Sequence, residues 1–137
     1  MTEPSLLPDI EAALTGWLSS RPELAGVIVG TSVPITYDGS QKVVRVVRLG
    51  GSADYLMRFD HPRIDVDCFG PTKAAAADLT ATIRRLLLFD IHTADLSPWS
   101  ASISSVHEDV GPQWLDEPDY PNAGRYLLQI SAMVHPV

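Results

Sequence analysis

From residue 125 to residue 135 the chain alternates. Tyr126, Leu128, Ile130, Ala132 and Val134 take one parity, and Leu127, Gln129, Ser131, Met133 and His135 take the other. A period of two is that of a β-strand, whose successive side chains point to opposite faces. A shorter run, Arg63 to Phe69, shows the same pattern. Ile64, Val66 and Cys68 point one way, and Asp65, Asp67 and Phe69 the other. Gly70-Pro71-Thr72 then turns the chain, and Thr72 is placed to cap a helix from Lys73 to Phe89. Ala76, Leu79, Ile83, Leu86 and Leu87 make the apolar stripe of that helix, while Asp78 and Arg85 face away. A strand, a turn and an amphipathic helix laid back on the sheet form a common α+β unit.

A first helix is expected from near Pro8 to Ser20. Ile10, Ala13, Leu14, Trp17 and Leu18 recur at helical spacing, and Pro8 suits a first-turn position. Asp9 and Glu11 complement the helix dipole, and Pro22 stops the helix. Short apolar runs follow at Val27–Val29 and Val33–Tyr37, then Asp38-Gly39, then Lys42–Leu49; this order predicts a β-hairpin. The bases of Lys42–Arg48 recur every three residues, as a helix would align them, but its four valines favour a strand. Arg45 then shares a face with Val43 and Val47, where a charge needs a partner. Gly50-Gly51 breaks the run, and residues 50–60 read as a loop. Ser100–Glu108 reads as a further strand, and residues 109–124, with their prolines and glycines, as a long loop. The predicted fold is α+β: a mixed, mainly antiparallel sheet with two main helices packed against it, in a single domain over residues 1–137.

Composition narrows the class. The chain has 137 residues, of which 45% are hydrophobic, enough for an unstapled core. A single cysteine, Cys68, forms no internal disulfide, and no signal peptide opens the sequence, so a cytoplasmic origin is expected. No apolar run approaches the roughly 20 residues of a membrane span. The net charge is −7, and residues 86–124 hold seven acids with no Lys or Arg. An acidic surface argues against a protein that grips nucleic acid.

The candidates for chemistry are few. Asp65 and Asp67 share a strand face and would suit Mg²⁺, with Glu108 or Asp109 completing the site of a small metal-dependent nuclease. No lysine follows at short spacing, and a solvated strand face explains the same pair. His61, His92, His107 and His135 are scattered without helical zinc spacing. Cys68 would need His61 or His107 as its base, yet a cysteine on an inward strand face usually acts as a small hydrophobe. No nucleophile elbow, phosphate loop or dinucleotide fingerprint is present. No catalytic, cofactor-binding or metal residues are therefore assigned, and no cofactor. Trp99, Trp114 and Tyr120 in loop segments suit protein interfaces instead. Arg45, Arg48, Trp114 and Tyr120 are the expected contacts to subunits or partners.

The order of these pieces resembles the tail terminator (tail completion) proteins of long-tailed bacteriophages, the actinobacteriophage type in particular. Pro8-Asp9-Ile10-Glu11-Ala12-Ala13-Leu14 through Trp17-Leu18 resembles their opening helix. Val43 to Gly51 resembles their first long strand and its Gly-Gly exit. Ile64-Asp65-Val66-Asp67-Cys68-Phe69-Gly70, with the alanine-rich start of the next helix, resembles their second strand and helix. Val110-Gly111-Pro112-Gln113-Trp114, Arg125-Tyr126 and the alternating last strand resemble their C-terminal half. The resemblance implies a virion protein without enzymatic activity, assembled in the host cytoplasm. Its copies form a homo-oligomer, a hexameric ring, that caps the tail tube protein, ends polymerisation and joins the tail to the head connector. DNA would pass through the ring without specific binding. Glu108, Asp109, Asp116, Glu117 and Asp119 would then line the lumen or face the tube. A head-side neck adaptor or stopper ring is the near alternative to a terminator.

Overall fold

The computed structural model describes residues 5–137. Helix α1 spans Ile10–Ser19, and strand β1 spans Ile28–Gly30. Strands β2 (Val43–Ala53) and β3 (Asp60–Gly70) follow, then helix α2 (Lys73–Leu88). Strands β4 (Ala101–Asp116) and β5 (Gly124–Pro136) close the chain. The strands form one five-stranded sheet in the order β1-β2-β3-β5-β4. Every pairing is antiparallel except β1 with β2. The α+β architecture expected from the sequence is the one observed.

Alternation sorts the sheet into two unlike faces. Val44 pairs with Cys68 and Cys68 with Tyr126; Val46 pairs with Val66 and Val66 with Leu128; Ile64 pairs with Ile130. These rows form the covered face. Ile10, Ala13, Leu14, Trp17 and Leu18 of α1 and Leu79, Ile83, Leu86 and Leu87 of α2 pack on it in one buried cluster. Burying this surface is the main favourable term in folding, at roughly 25 cal/mol per Å² of apolar area. Both helices start where local chemistry dictates. Asp9 accepts from the Ala12 N–H, and Thr72 accepts from the Ala75 N–H, each 3.1 Å away. Asp9 is the cap, so Pro8 sits just outside α1 rather than in its first turn.

Several boundaries differ from the sequence reading. β1 and β2 run parallel, so Val33–Tyr37 and Asp38-Gly39 make no hairpin. A parallel pair needs a connection of about a dozen residues, and residues 31–42 supply it as an irregular loop. Pro34 within the apolar run removes an N–H that a strand would use. Residues 50–60 are not all loop: β2 continues to Ala53 through a bulge between Arg48 and Gly51. Gly50 and Gly51 hold φ of 81° and 88° there, so they bend the strand without ending it. The expected long loop at 109–124 is mostly strand. β4 absorbs Gly111 and Pro112 as irregularities and ends only at Asp116. It is an edge strand, which tolerates a missing N–H.

The bulge yields a stability test. A Cβ on Gly51 would lie 2.1 Å from the His61 carbonyl oxygen, whereas one on Gly50 meets nothing within 4 Å. Gly50→Ala is expected to cost about 1 kcal/mol for the left-handed backbone alone. Gly51→Ala should cost at least about 2 kcal/mol more than that, since backbone must also move. Urea denaturation of the two variants measures the gap.

Candidate functional site

Among the described residues no helix covers the second face of the sheet. Its rows carry Val43, Arg45 and Val47 from β2, Asp65, Asp67 and Phe69 from β3, and Arg125, Leu127 and Gln129 from β5. The end nearest Phe69 is roofed by two loops. Tyr37 packs edge-on against Phe69 and Tyr120, both at 5.6 Å between ring centres. The Tyr120 hydroxyl donates to the Tyr37 carbonyl at 3.2 Å. Burial pushes the Tyr37 phenol above its ordinary value, with the Glu117 carboxylate adding to the shift. Beyond this roof, Val47, Leu127, Gln129, Ser131 and Met133 are half-buried, with no second layer among the described residues.

Beside the roof, Asp67 is only 4% exposed. Its carboxylate lies 3.1 Å from Arg125 Nε and 3.7 Å from Arg45 Nε. Arg45 therefore has an intramolecular partner for the charge that looked misplaced in the sequence. Burial lifts the Asp67 carboxyl above the usual carboxylate range, and the two guanidiniums only partly offset it. Arg125 also lies over the Phe69 ring at 5.5 Å. Arg125 escaped the sequence reading. Its parity with Leu127, opposite the face of Tyr126 and Leu128, was the available signal.

The other expected site residues are spread around the molecule. Arg48 makes two hydrogen bonds to Asp60, at 2.5 and 2.8 Å, and its backbone N–H donates to Glu11 at 2.9 Å. The Asp60 bond holds the Arg48 guanidinium above its ordinary pKa. Trp114 is half-buried against Tyr126, under the Lys73 ammonium, and donates from Nε1 to Asp116 at 2.8 Å. Trp99 lies against Gly16 of α1, so the domain itself takes up much of this ring. Glu108 and Asp109 lie in β4, as does Asp116; only Glu117 and Asp119 belong to the 117–123 loop. Glu108 pairs with Arg84 at 2.8 Å on the helix side, and Asp109 accepts from the Ser131 hydroxyl at 3.1 Å.

These positions bear on chemistry. Asp65 and Asp67 do share a face, but Asp67 is held by arginines, and Glu108 lies on the opposite face. Among the described residues no three His, Cys, Asp or Glu are grouped to hold a metal ion. Cys68 is buried on the helix side, and burial pushes its thiol up to about 12. His61 lies seven positions along the same strand, on the order of 23 Å away by strand rise. No helix among the described residues is long and apolar enough to cross a membrane.

The arrangement is a helix-backed sheet with one mixed polar and apolar face left uncovered by the described helices. The family described as phage tail termination protein matches residues 6–120, most of the chain, and the chain belongs to that family. No curated protein matches it. The family is one of structural phage tail proteins, which places the chain in the virion tail.

Two outcomes are expected. The Asp67 carboxyl has a folded-state pKa above its unfolded value, so its protonation favours the folded state. Its stabilising contribution is full below the unfolded pKa, about 3.9, and is lost as pH rises through the folded value. The stability of wild type relative to Asp67→Asn should therefore rise as pH falls from 7 to 4, read from urea midpoints. A fall over that window would mean that the arginines outweigh burial. Cys68 should stay unmodified by a thiol reagent at pH 8 in the folded chain and react at once in denaturant.

Proposed function

We propose that copies of this chain form a hexameric ring that caps the tail tube, ends its polymerisation and joins the tail to the head connector. Membership of the tail termination family is the observation that carries this reading. The uncovered sheet face supports it, because a surface of half-buried Val47, Leu127 and Met133 around an anchored ion triad suits a neighbouring chain. In this reading the half-exposed Arg45, Trp114 and Tyr120 contribute to contacts with subunits or tail partners. Arg48, engaged with Asp60 and the Gly50 carbonyl, holds the β2 bulge in shape.

Acid does the complementary work. Asp109, Asp116, Glu117 and Asp119 face the lumen or the tube, where they add negative charge along the path of the DNA; Glu108 faces it too, with its charge largely neutralised by Arg84. Like charge does not form the lysine and arginine contacts that hold a phosphate backbone, so DNA slides through without sticking. The protein acts by geometry and charge, without catalysis and without a cofactor.

The test is tube assembly. Purified tube protein should polymerise to variable, extended lengths alone. With this chain added, growth should stop and the chain should be found at one end of each tube by electron microscopy. Unchanged tube lengths, with the chain instead on isolated heads, would favour a neck adaptor.

A further inference from the structure

We propose that the 31–38 loop of one copy seats in the notch beside the β2 bulge of the next copy, with Ile35 against Leu49 and the Asp38 carboxylate facing Arg63. The inference rests on the ring reading above and names the surfaces that would join its subunits.

The notch comes from the bulge. Where the β2–β3 register slips between Arg48 and Gly51, a hollow of about 260 Å³ opens, with Leu49, Arg63, Asp65 and Gln129 around Ile64 and Ile130. A water takes roughly 30 Å³ in the liquid, so the hollow has room for a branched aliphatic side chain. Leu49 is half exposed at its rim. Arg63 is exposed and takes part in none of the ion pairs among the described residues, not even with Asp65 two positions along the strand.

The loop has the opposite character. Ile35 is fully exposed at its crest. Asp38 is exposed, and the Ser40 N–H and hydroxyl donate to its carboxylate at 2.9 and 2.5 Å. These bonds hold its pKa below the ordinary value, so it stays ionised. The Gln41 side chain ties the loop further, donating to the Thr36 carbonyl and accepting from the Asp38 N–H, both at 3.0 Å. Tyr37 anchors it from below against Phe69. The crest is thus pre-organised, which lowers the entropy lost on docking.

An apolar knob beside a carboxylate complements an apolar hollow beside a guanidinium, and neither charge takes part in an ion pair among the described residues. The chain cannot join them itself. The loop meets β2 at Val43 and the notch lies at Leu49, six residues along one strand, or about 20 Å. A second copy can supply what the first cannot reach. Two unlike patches make a head-to-tail contact, the kind that closes into a ring when the rotation fits. The sheet edges offer poorer routes. β4 is interrupted by three register shifts and carries Pro112, Glu108 and Asp109, which resist strand addition, and β1 has three residues.

Cysteine cross-linking on the full chain tests the contact, with buried Cys68 as a quiet background. The Ile35→Cys/Leu49→Cys variant is oxidised alone and on tube ends, alkylated, and run on a non-reducing gel. The expected result is a ladder of covalent oligomers ending at the ring number, with each single variant staying monomeric. Arg63→Glu should lower the assembled fraction severalfold, and Asp38→Lys added to it should restore part of the loss. Assembly of the double-cysteine variant without covalent rungs overturns this inference and leaves the ring reading intact. Covalent dimers from Leu49→Cys alone also overturn it, since they report a symmetric contact. Wild-type chain that forms no oligomer alone or on tube ends contradicts the ring reading itself.

Discussion

Strand β3 is bonded on both sides and is asked to do two incompatible things. Its backbone pairs with β2 and β5 along nearly its whole length. Ile64, Val66 and Cys68 go into an apolar core, while Asp65 and Asp67 go to the other side. A one-residue slip in register would exchange these sets and put carboxylates under the helices. That penalty fixes the sheet, and the sheet in turn fixes the helices on one side. The remaining face is left with charge at its centre. Asp67 between Arg45 and Arg125 is tolerable there because each partner stays partly solvated.

The elements with an unbroken period were legible in the sequence: α1, α2, the β3 run and β5. Each is specified by local alternation or a helical stripe together with a cap, as at Asp9 and Thr72. The misread segments all involve residues whose meaning depends on tertiary neighbours. Asp38-Gly39 lies in an irregular loop, and the strands that the loop joins are parallel; no local signal tells parallel from antiparallel. Gly50-Gly51 reads as a break when only the pairing partner shows a bulge. Pro112 and Gly111 read as loop because their tolerance in β4 depends on its being an edge. At the candidate site, the shared face of Asp65 and Asp67 was legible, but their surroundings were not. Arg125 lies 58 positions beyond Asp67 in the chain, and its approach follows from the β3–β5 register alone.

The same geometry explains what kind of work the protein does. A nucleophile or acid–base pair needs an exposed group with a shifted pKa and a partner within reach. Here the strongly shifted thiol is sealed in the core, and the shifted carboxylate is clamped by arginines. The surface offers instead an uncovered sheet face, a braced loop with an apolar crest and a hollow at a bulge. Such features gain free energy when another chain covers them. Membership of the tail termination family implies contact with tail components of the virion.

The most direct measurement is a cryo-electron microscopy reconstruction of the junction between tail tube and head in the assembled virion. The account predicts a ring of this chain on the last tube layer, with the uncovered sheet face and the 31–38 loop both buried in contacts and the acidic residues toward the bore. A junction that lacks this chain, or holds it as isolated copies with the sheet face open to solvent, would contradict it.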